Sequence, residues 1–428
     1  MRRTLLLSAV GLFVFGKVAA AQDTTRAVLQ LLYDNPQVRP TLVVVPVAGL
    51  DSVRAIVERD LDQSDRFELI VMPIVTQPVE PGALNLAPYR AMNAELALEM
   101  VPAGGALVTV RLYDVATGLI RNEGLMAVDY SGTGEGRMTV HRLSDEVVRW
   151  ATGKPGIAAT RVLYVLGNRV WRIDTDGYGS RPLTPAGVTA YSPAWSPDGR
   201  RFAYTELTDG QGYVVLQSLT SGNRVVLPGT ERTMNITPSF SPDGNQIAFS
   251  RVVNGAYALH KADVTNLCCV ERLTPGRFAE NLSPTYSPDG RRIAFVSTRA
   301  GSAQIYVMSS DGTNQELLVP FDYGITGASF APEWSPDGLR LIFHRSMGSG
   351  FQVLVFDITS DRVRQVTSEG RNEDASWAPD GRHIIFTSSR SGGRQLHILD
   401  LETSRVRSIP TPGTAQLATW SPRLSGAP

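Results

Sequence analysis

The chain contains only two cysteines and five histidines among its 428 residues. The cysteines, Cys268 and Cys269, are adjacent, and no histidine–cysteine cluster accompanies them, which disfavours a zinc site. Neighbouring residues of a strand point to opposite faces, so a disulfide between these two needs a strained turn. We therefore expect two small apolar residues within a strand, with a disulfide as the alternative. We predict neither a metal nor any other cofactor.

Neither sign of charge is in excess, because 41 lysines and arginines balance 41 aspartates and glutamates. A neutral chain offers no basis for predicting a nucleic-acid partner or an anionic membrane surface. The apolar run from Leu5 to Phe15 is too short to span a bilayer. It follows Arg2 and Arg3 and precedes three alanines, which is the pattern of a Sec-type signal peptide. We predict a signal peptide over residues 1–21, cleaved before Gln22 or one residue earlier, and no membrane insertion of the mature protein.

Common catalytic motifs are missing as well. The sequence has no G-x-S-x-G nucleophile elbow, no H-E-x-x-H zinc motif and no phosphate-binding G-x-x-x-x-G-K-[ST] loop. The histidines are scattered, and His383 and His397 fall inside predicted strands, where packing or surface roles are expected. The pairs Glu280-Asn281 and Glu373-Asp374 precede strand-starting segments, where carboxylates could do acid/base work but a polar channel rim is the commoner outcome. The sequence therefore predicts a protein that is not an enzyme.

What the sequence does contain is a repeat of about ten residues, written five times in full. An aromatic residue, then Ser or Ala, then Pro-Asp-Gly, leads into an alternating apolar pattern. The copies begin at Trp195, Phe240, Tyr286, Trp334 and Trp377, and a broken copy begins at Trp420. The steps between them are 45, 46, 48, 43 and 43 residues. A period of about 40–50 residues is typical of a four-stranded propeller blade.

Turn chemistry explains the repeat. Proline presets φ at the second position of a turn, aspartate tolerates the third, and glycine closes it. We therefore predict that the repeated aspartate holds the turn by hydrogen bonds instead of binding a cation, at Asp198, Asp243, Asp289, Asp337 and Asp380. The aromatic residue is expected to end a strand and to pack between neighbouring blades.

The number of blades depends on the broken copy. Residues 161–184 supply strands for a first blade that lacks its own aromatic strand, whereas Ala418 to Pro422 supply such a strand with nothing after it. The economical solution is six blades over residues 157–428, with the first blade closed by the C-terminal strand, and seven blades is the alternative. Closure of this kind removes exposed sheet edges.

Residues 22–156 share no repeat and are predicted to form a separate domain. We predict strands at Thr41–Pro46, Phe67–Val71, Glu95–Met100, Val108–Tyr113 and Leu125–Tyr130, and helices at Val53–Leu61 and Ser144–Trp150. The predicted fold class is therefore mainly β, with a six-bladed β-propeller preceded by a small N-terminal α/β sheet domain.

Taken together, these residues resemble the TolB family, the periplasmic components of the Tol–Pal envelope system. The repeats alone are shared with the propellers of prolyl-oligopeptidase-type peptidases. More specific are the segment from His141 to Val165 (HRLSDEVVRWATGKPGIAATRVLYV), the turn Asp174-Thr-Asp-Gly-Tyr178 and the ending TWSPRL. A peptidase of that type needs a hydrolase domain of roughly a few hundred residues, whereas only eight residues follow Trp420.

The resemblance implies a non-catalytic periplasmic scaffold, expected to be monomeric, that acts in outer-membrane integrity and cell division. Its loop face around the propeller channel would bind Pal, the peptidoglycan-associated lipoprotein. The positions before each aromatic residue that would face Pal are Met234, Asn235, Thr237, Leu282, Ser283, Asn372, Glu373 and Asp374.

The resemblance also implies that the mature N-terminal segment binds TolA, the inner-membrane-anchored partner. This segment would run from Gln22 to about Asn35 and could add as a strand to a partner's sheet edge. The residues that would carry this contact are Arg26, Val28, Leu29, Leu31 and Tyr33. The alternative function is an exported propeller that binds a small ligand, or acts as a hydrolase, in its central channel.

Overall fold

The protein folds as a six-bladed β-propeller preceded by an N-terminal α/β domain, as the sequence predicts. The fold comes from a computed structural model that describes residues 39–73, 84–129, 132–229, 234–253, 255–275, 279–319, 327–348 and 350–424. The predicted signal peptide and the predicted TolA-binding residues Arg26, Val28, Leu29, Leu31 and Tyr33 lie outside these ranges. None of the helices within them combines the length and the apolar character needed to cross a bilayer.

The N-terminal domain is built on a five-stranded sheet with the strand order β2-β1-β3-β4-β5. Its strands are β1 (Thr41–Val44), β2 (Glu68–Ile70), β3 (Leu96–Gly104), β4 (Leu107–Asp114) and β5 (Ile120–Ala127). Strand β1 runs parallel to both neighbours, and the pairs β3–β4 and β4–β5 are antiparallel. Helices α1 (Asp51–Gln63) and α3 (Gly134–Thr152) pack on one face, and the short α2 (Ala87–Ala91) packs on the other.

Helix α3 begins ten residues earlier than predicted. Thr133 is its N-cap, and the Thr133 side chain accepts a hydrogen bond from the Gly136 N–H at 3.1 Å. Ser144, the predicted cap, lies in the helix interior, where its hydroxyl donates to the Val140 carbonyl at 3.2 Å. The prediction was wrong because glycines in the first turn obscure the helical pattern. The helix ends as predicted near Gly153, which has a left-handed φ of 76°.

Each blade of the propeller is a four-stranded antiparallel sheet. The first blade combines β6 (Arg161–Leu166), β7 (Arg169–Asp174) and β8 (Arg181–Pro182) with the C-terminal strand β29 (Ala415–Trp420). The second and third blades comprise β9 (Thr189–Trp195), β10 (Arg201–Thr208), β11 (Gln211–Ser218), β12 (Arg224–Val226), β13 (Asn235–Phe240), β14 (Gln246–Val253), β15 (Ala256–Asp263) and β16 (Glu271–Arg272).

The last three blades follow in chain order. They comprise β17 (Asn281–Tyr286), β18 (Arg292–Ser297), β19 (Gln304–Ser309), β20 (Glu316–Leu317), β21 (Ser329–Trp334), β22 (Arg340–Met347), β23 (Gly350–Asp357), β24 (Arg362–Gln365), β25 (Asn372–Trp377), β26 (His383–Ser388), β27 (Gln395–Asp400) and β28 (Val406–Ile409).

The first blade holds the two ends of the propeller in one sheet. Strand β29 pairs antiparallel with β6, and Trp420 lies opposite Val162. The Trp420 indole N–H donates to the Thr160 hydroxyl at 2.8 Å, and the Trp420 backbone N–H donates to the Ser376 hydroxyl at 3.0 Å. The ring of blades is therefore closed by main-chain pairing together with one buried indole.

The repeat residues play the mechanical roles predicted for them. The indole N–H groups of Trp334 and Trp377 donate to carbonyl oxygens of the preceding blade, at 3.3 and 3.2 Å. In the first turn, Asp198 accepts hydrogen bonds from the Ser196 hydroxyl at 2.5 Å and from the Arg200 N–H at 3.0 Å. The same two contacts recur in the turns of the next three blades. Asp380, whose turn has Ala378 in place of the serine, accepts from the Arg382 N–H at 2.9 Å and lies 2.7 Å from His383 Nδ1. The predictions of packing between blades and of a turn role for the five aspartates are confirmed.

The adjacent cysteines do not lie in a strand, contrary to the prediction. Cys268 and Cys269 occupy the loop between β15 and β16, and both thiols are free. Cys269 is exposed and has a left-handed φ of 58°. A loop is favoured here because the Asp263 N–H closes it by donating to the Cys268 carbonyl at 3.0 Å.

The N-terminal domain docks on the turn end of the first and sixth blades. In the sixth blade, Arg405 pairs with Asp62 at 2.8 Å and with Asp65 at 3.0 Å, and Arg382 donates to the Asp65 carbonyl at 3.1 Å. In the first blade, Asp176 lies 3.5 Å from Arg59 of α1 and also pairs with Arg137 of α3. Charged contacts therefore join the domain to two adjacent blades.

Candidate functional site in the propeller channel

The six inner strands β9, β13, β17, β21, β25 and β29 surround a central cavity of about 430 Å³. Each inner strand contributes its residues from three positions before the repeat aromatic onward. The residues at that third position, which form what we call the channel ring, are Ser192, Thr237, Ser283, Ala331, Asp374 and Leu417. The cavity therefore receives one chemically different side chain from each blade.

Every residue of the channel ring has a left-handed backbone, with φ between 48° and 53°. The pairing of each inner strand with its neighbour shifts register at this point, as a β-bulge requires. In four blades the next residue is proline, which further restricts the residue before it. A non-glycine residue held in this region costs on the order of 1–3 kcal/mol. Repetition of that cost six times around one cavity is typical of a functional site.

Hydrogen bonds link members of the ring from blade to blade. The Thr237 N–H donates to the Thr205 hydroxyl of the previous blade at 3.0 Å. The Ser283 N–H donates to the Thr237 hydroxyl at 3.3 Å, and the Asp374 N–H donates to His344 Nδ1 at 3.1 Å. A backbone N–H freed by the bulge is thus satisfied by the neighbouring blade. The conformation of one ring residue is therefore tied to the position of the blade before it.

Two carboxyl groups line the cavity, and burial raises the pKa of each. The Glu333 pKa rises to about 7, although its carboxylate accepts hydrogen bonds from the Trp377 N–H at 2.8 Å and the Ser376 hydroxyl at 3.1 Å. Burial also raises the pKa of Asp374 to about 7, with a contribution from the charge of Glu373. Both groups therefore titrate near neutral pH, and the cavity gains negative charge as the pH rises.

Aromatic and basic side chains lie beside this acidic wall, at the end of the channel where the inner strands begin. The rings of Phe330 and Phe351 meet edge to face at 5.8 Å, and His344 stacks on Phe330 at 5.7 Å. Burial and the charge of Arg371 lower the pKa of His344 to about 4, so its imidazole is neutral at pH 7. The Arg371 guanidinium lies 4.5 Å from the Phe351 ring. Aromatic and arginine side chains are the types that most often dominate binding at protein interfaces.

Three of the eight residues predicted to face Pal lie in the channel ring, namely Thr237, Ser283 and Asp374. Asn235 and Asn372 begin their strands and are fully buried. The Asn235 side-chain Oδ1 accepts a hydrogen bond from the Arg251 Nε–H at 2.7 Å, and the Asn372 side-chain amide donates to Gln352 Oε1 at 2.8 Å. These two asparagines fix the start of the inner strands, and partner contact there stays a prediction.

The remaining predicted residues lie at the mouth of the channel. Met234 forms a bridge with Gly212, and Leu282 is partly buried against the core of the fourth and fifth blades. Glu373 pairs with Arg371 at 3.0 Å and with Arg394 at 2.9 Å. Glu373 and Asp374 lie within β25, not before it as the sequence suggested.

The sequence prediction missed half of the channel ring. Ser192, Ala331 and Leu417 occupy the same offset from their aromatic residue as the three that were predicted, and Glu333 lies two residues after Ala331. The signal was present in the repeat, because a constant offset from each aromatic residue identifies all six. The backbone bulge turns these side chains towards the cavity, and the sequence of a single repeat does not predict this bulge.

A buried serine, histidine and aspartate resemble a hydrolase triad at the centre of the N-terminal domain. Asp60 Oδ2 accepts from the Ser144 hydroxyl at 2.7 Å and also lies 2.8 Å from His141 Nδ1. Serine and histidine therefore bind the same oxygen instead of each other, so the histidine cannot take the serine proton. His141 and Ser144 are at most 1% exposed, which denies access to a substrate. This cluster holds α1 against α3.

One further cluster has the composition of a metal site. Possible ligand atoms of Asp65, His383 and Asp400 lie within 4.8 Å of one another at the interface between the domains. Both carboxylates are already paired, Asp65 with Arg405 and Asp400 with Arg382. The guanidinium groups of Arg405 and Arg382 supply the positive charge that a metal cation would otherwise supply. The cluster is therefore an ion-pair network.

Comparisons with known proteins point to one family. The profile described as "TolB beta propeller domain" matches residues 148–424. The Tol-Pal system protein TolB of Methylococcus capsulatus is 31% identical over 202 residues, which is 43% of this chain and 46% of its own length. The TolB of Haemophilus influenzae strain PittGG is 31% identical over 243 residues, which is 53% of this chain and 56% of its own length.

A solved structure extends the similarity beyond the propeller. The crystal structure of TolB from Acinetobacter baumannii superposes with a TM-score of 0.76 at 26% identity, and the match covers 90% of this chain and 97% of that one. The sequence matches to the curated relatives, by contrast, span about half of their length.

Proposed function

The chain belongs to the TolB β-propeller family, and we propose that it is a non-catalytic component of a Tol–Pal system. In this proposal it acts in the periplasm as a monomer and links a TolA-like protein to a Pal-like peptidoglycan-associated lipoprotein. Its role would be in outer-membrane integrity and cell division. The names of the relatives support the assignment to a Tol–Pal system. The geometry of the propeller channel supports the proposed binding of the lipoprotein there.

The observation that carries the proposal is the side on which the N-terminal domain docks. Its contacts with the propeller run through Asp176, Arg382 and Arg405, all at the turn end of the blades. The channel mouth near Phe330 and Phe351 lies at the opposite end of the inner strands. A partner can therefore reach this mouth without displacing the N-terminal domain.

The chemistry of this mouth fits a protein partner. Arg371 is exposed and lies over Phe351, and partly buried Phe330 completes an apolar surface next to the acidic Glu373. Such a surface combines apolar anchors with charges that fix orientation. Strained ring residues directly beneath it, including Asp374 and Ser283, would bring the partner's side chains against fixed polar groups.

The proposed contact with a TolA-like protein rests on the sequence of the N-terminal segment. Residues Arg26 to Tyr33 are mostly apolar and could add as a strand to a partner's sheet edge. Deletion of this segment should abolish TolA binding and leave lipoprotein binding intact.

The test is a titration of the mature protein with the soluble domain of the peptidoglycan-associated lipoprotein from the same organism. Arg371→Ala and Phe351→Ala should each weaken binding at least tenfold, because interface arginine and aromatic residues often cost more than 1 kcal/mol when truncated. Arg364→Ala is the control, since Arg364 is an exposed arginine on the outer strand of the same blade as Phe351. Circular dichroism should show that all three variants fold.

Absence of binding by the unaltered protein, with and without the N-terminal segment, would refute the scaffold proposal. Equal loss of affinity in Arg364→Ala and Arg371→Ala would show that the channel mouth is not the contact surface. Binding of a small ligand in the cavity, with no affinity for the lipoprotein, would favour the alternative function.

A further inference from the structure

A second cavity, of about 260 Å³, lies between the N-terminal domain and the propeller, and five of its twelve lining residues are arginines. The five arginines of this arginine pocket are Arg142, Arg161, Arg172, Arg181 and Arg200. The acidic residues on its wall are Glu135 and Asp198. The excess of positive charge is local, because the chain as a whole is neutral.

The arginines come from five separate elements. Arg142 projects from α3, Arg161 begins β6, and Arg200 belongs to the turn before β10. Arg172 on β7 and Arg181 on β8 are direct cross-strand partners. Like charges directly opposite each other destabilise a sheet. A fold that keeps such a pair beside three further arginines retains an unfavourable arrangement that an anion would relieve.

The acidic residues of the pocket are already occupied. Glu135 accepts a hydrogen bond from Arg161 at 2.8 Å, and Asp198 accepts from the Ser196 hydroxyl and the Arg200 backbone N–H of its own turn. Among the described residues, no hydrogen bond or ion pair engages the guanidinium groups of the other four arginines.

Burial makes this lack of partners significant. The Nε atoms of Arg142 and Arg172 are inaccessible to solvent and have no acceptor among the described residues. Burial, and then the charges of Arg161 and Arg181, lower the pKa of Arg172 to about 10, although the charges of Asp174 and Glu135 oppose this shift. A buried donor without an acceptor is unfavourable, and more so when it is charged. The two residues that carry these donors therefore line one cavity from different domains.

We propose that the arginine pocket is a binding site for a small, multiply charged phosphate-type anion. The planar guanidinium group binds phosphate oxygens through paired hydrogen bonds, and an anion in the cavity would offer acceptors to the guanidinium groups that line it. The volume admits a pyrophosphate or a small phosphate ester. Because the site joins α3 to the first and second blades, its ligand would stabilise the docking of the N-terminal domain. This anion binding is separate from the proposed lipoprotein contact, which lies at the opposite end of the channel.

The test uses inorganic pyrophosphate with the mature protein, at an ionic strength held constant with sodium chloride. Calorimetric titration should give saturable binding, and the melting temperature should rise with pyrophosphate concentration, because a ligand of the folded state stabilises it. Arg172→Gln and Arg200→Gln should each weaken binding at least tenfold. Without pyrophosphate, Arg172→Gln should be at least as stable as the unaltered protein, because it removes a repulsive charge.

Arg291→Gln is the matched control for Arg200→Gln, because both arginines directly follow the glycine of a repeat turn and only Arg200 lines the pocket. Phosphate-type salts also stabilise proteins by exclusion from their surface. An equal rise of melting temperature in Arg200→Gln and Arg291→Gln would therefore show a general salt effect and overturn the proposal. So would the absence of pyrophosphate binding to the unaltered protein at millimolar concentration.

Discussion

Replacement of Trp420 by alanine tests the closure of the propeller by its C-terminal strand. The Trp420 side chain is 5% exposed and packs in the core that joins the first and sixth blades. Truncation of a buried tryptophan to alanine costs about 3–5 kcal/mol. Loss of the indole hydrogen bond to Thr160 adds about 1 kcal/mol. We therefore expect the free energy of unfolding to fall by about 4–6 kcal/mol.

The measurement is urea unfolding followed by circular dichroism, combined with limited proteolysis and mass spectrometry of the C-terminus. Trp420→Phe keeps an aromatic ring but loses the N–H, and phenylalanine is the natural residue at the same position of the third blade, Phe240. We expect this variant to lose only about 1–2 kcal/mol.

A second control separates packing from closure. Trp334 is equally buried, and its strand is followed by further strands of the same blade. Trp334→Ala should lose a similar free energy of unfolding, whereas only Trp420→Ala should release β29 to proteolysis below the unfolding transition. A loss smaller than about 1 kcal/mol for Trp420→Ala, with the C-terminus still protected, would refute the reasoning.

Three further changes test buried ionisation and backbone geometry. Burial raises the pKa of Glu333 from 4.5 to about 7, so stability should fall as the pH rises through this range. Glu333→Gln should therefore raise the free energy of unfolding by roughly 1–3 kcal/mol at pH 8 and by little at pH 4, as measured by urea unfolding. Burial lowers the pKa of His383, but the charge and hydrogen bond of the Asp380 carboxylate outweigh burial. The pKa of His383 therefore rises from 6.5 to about 9. Its contribution is full below about pH 6.5 and is lost as the pH rises through 9, and unfolding curves of His383→Gln should lack this dependence. Gly312 has a φ of 90°, and an added Cβ would lie 2.5 Å from a carbonyl oxygen, so Gly312→Ala should lower stability by roughly 1–3 kcal/mol in thermal unfolding. Gly392, with a φ of 87° and open space around it, should tolerate alanine better, and equal losses would contradict the steric argument.

The sequence predicted those parts of the fold that are written several times. Six copies of an aromatic residue at a nearly constant spacing favoured six blades over seven, placed the turns and assigned the C-terminal strand to the first blade, and the structure has six blades. The first four strands and the first helix of the N-terminal domain were also predicted, because apolar periodicity is a local property. The fifth strand begins at Ile120, five residues before the predicted Leu125, and the short helix α2 was not predicted. Nor was the start of α3, since it depends on a single capping threonine in a glycine-containing segment.

The site was predicted less completely, because its features depend on contacts between distant residues. The left-handed backbone of the channel ring arises from pairing between strands and has no signature in residues as different as Ala331 and Asp374. The free cysteines were misplaced because the turn that holds them is set by a hydrogen bond across the hairpin. The arginine pocket joins α3 to β8 and to the turn at Arg200, and a neutral overall composition conceals it.

The docking of the N-terminal domain has a mechanical consequence. Strands β29 and β6 are held to each other without a covalent link, so this pair is where tension would open the ring first. The domain continues covalently into β6, and it is also tied to the sixth blade through Arg405 and Asp62, on the β29 side of the pair. A force applied at the N-terminus is thus divided between both sides of the junction. Strands β6 and β29 would then move in the same direction under load, so their hydrogen bonds would not break one after another.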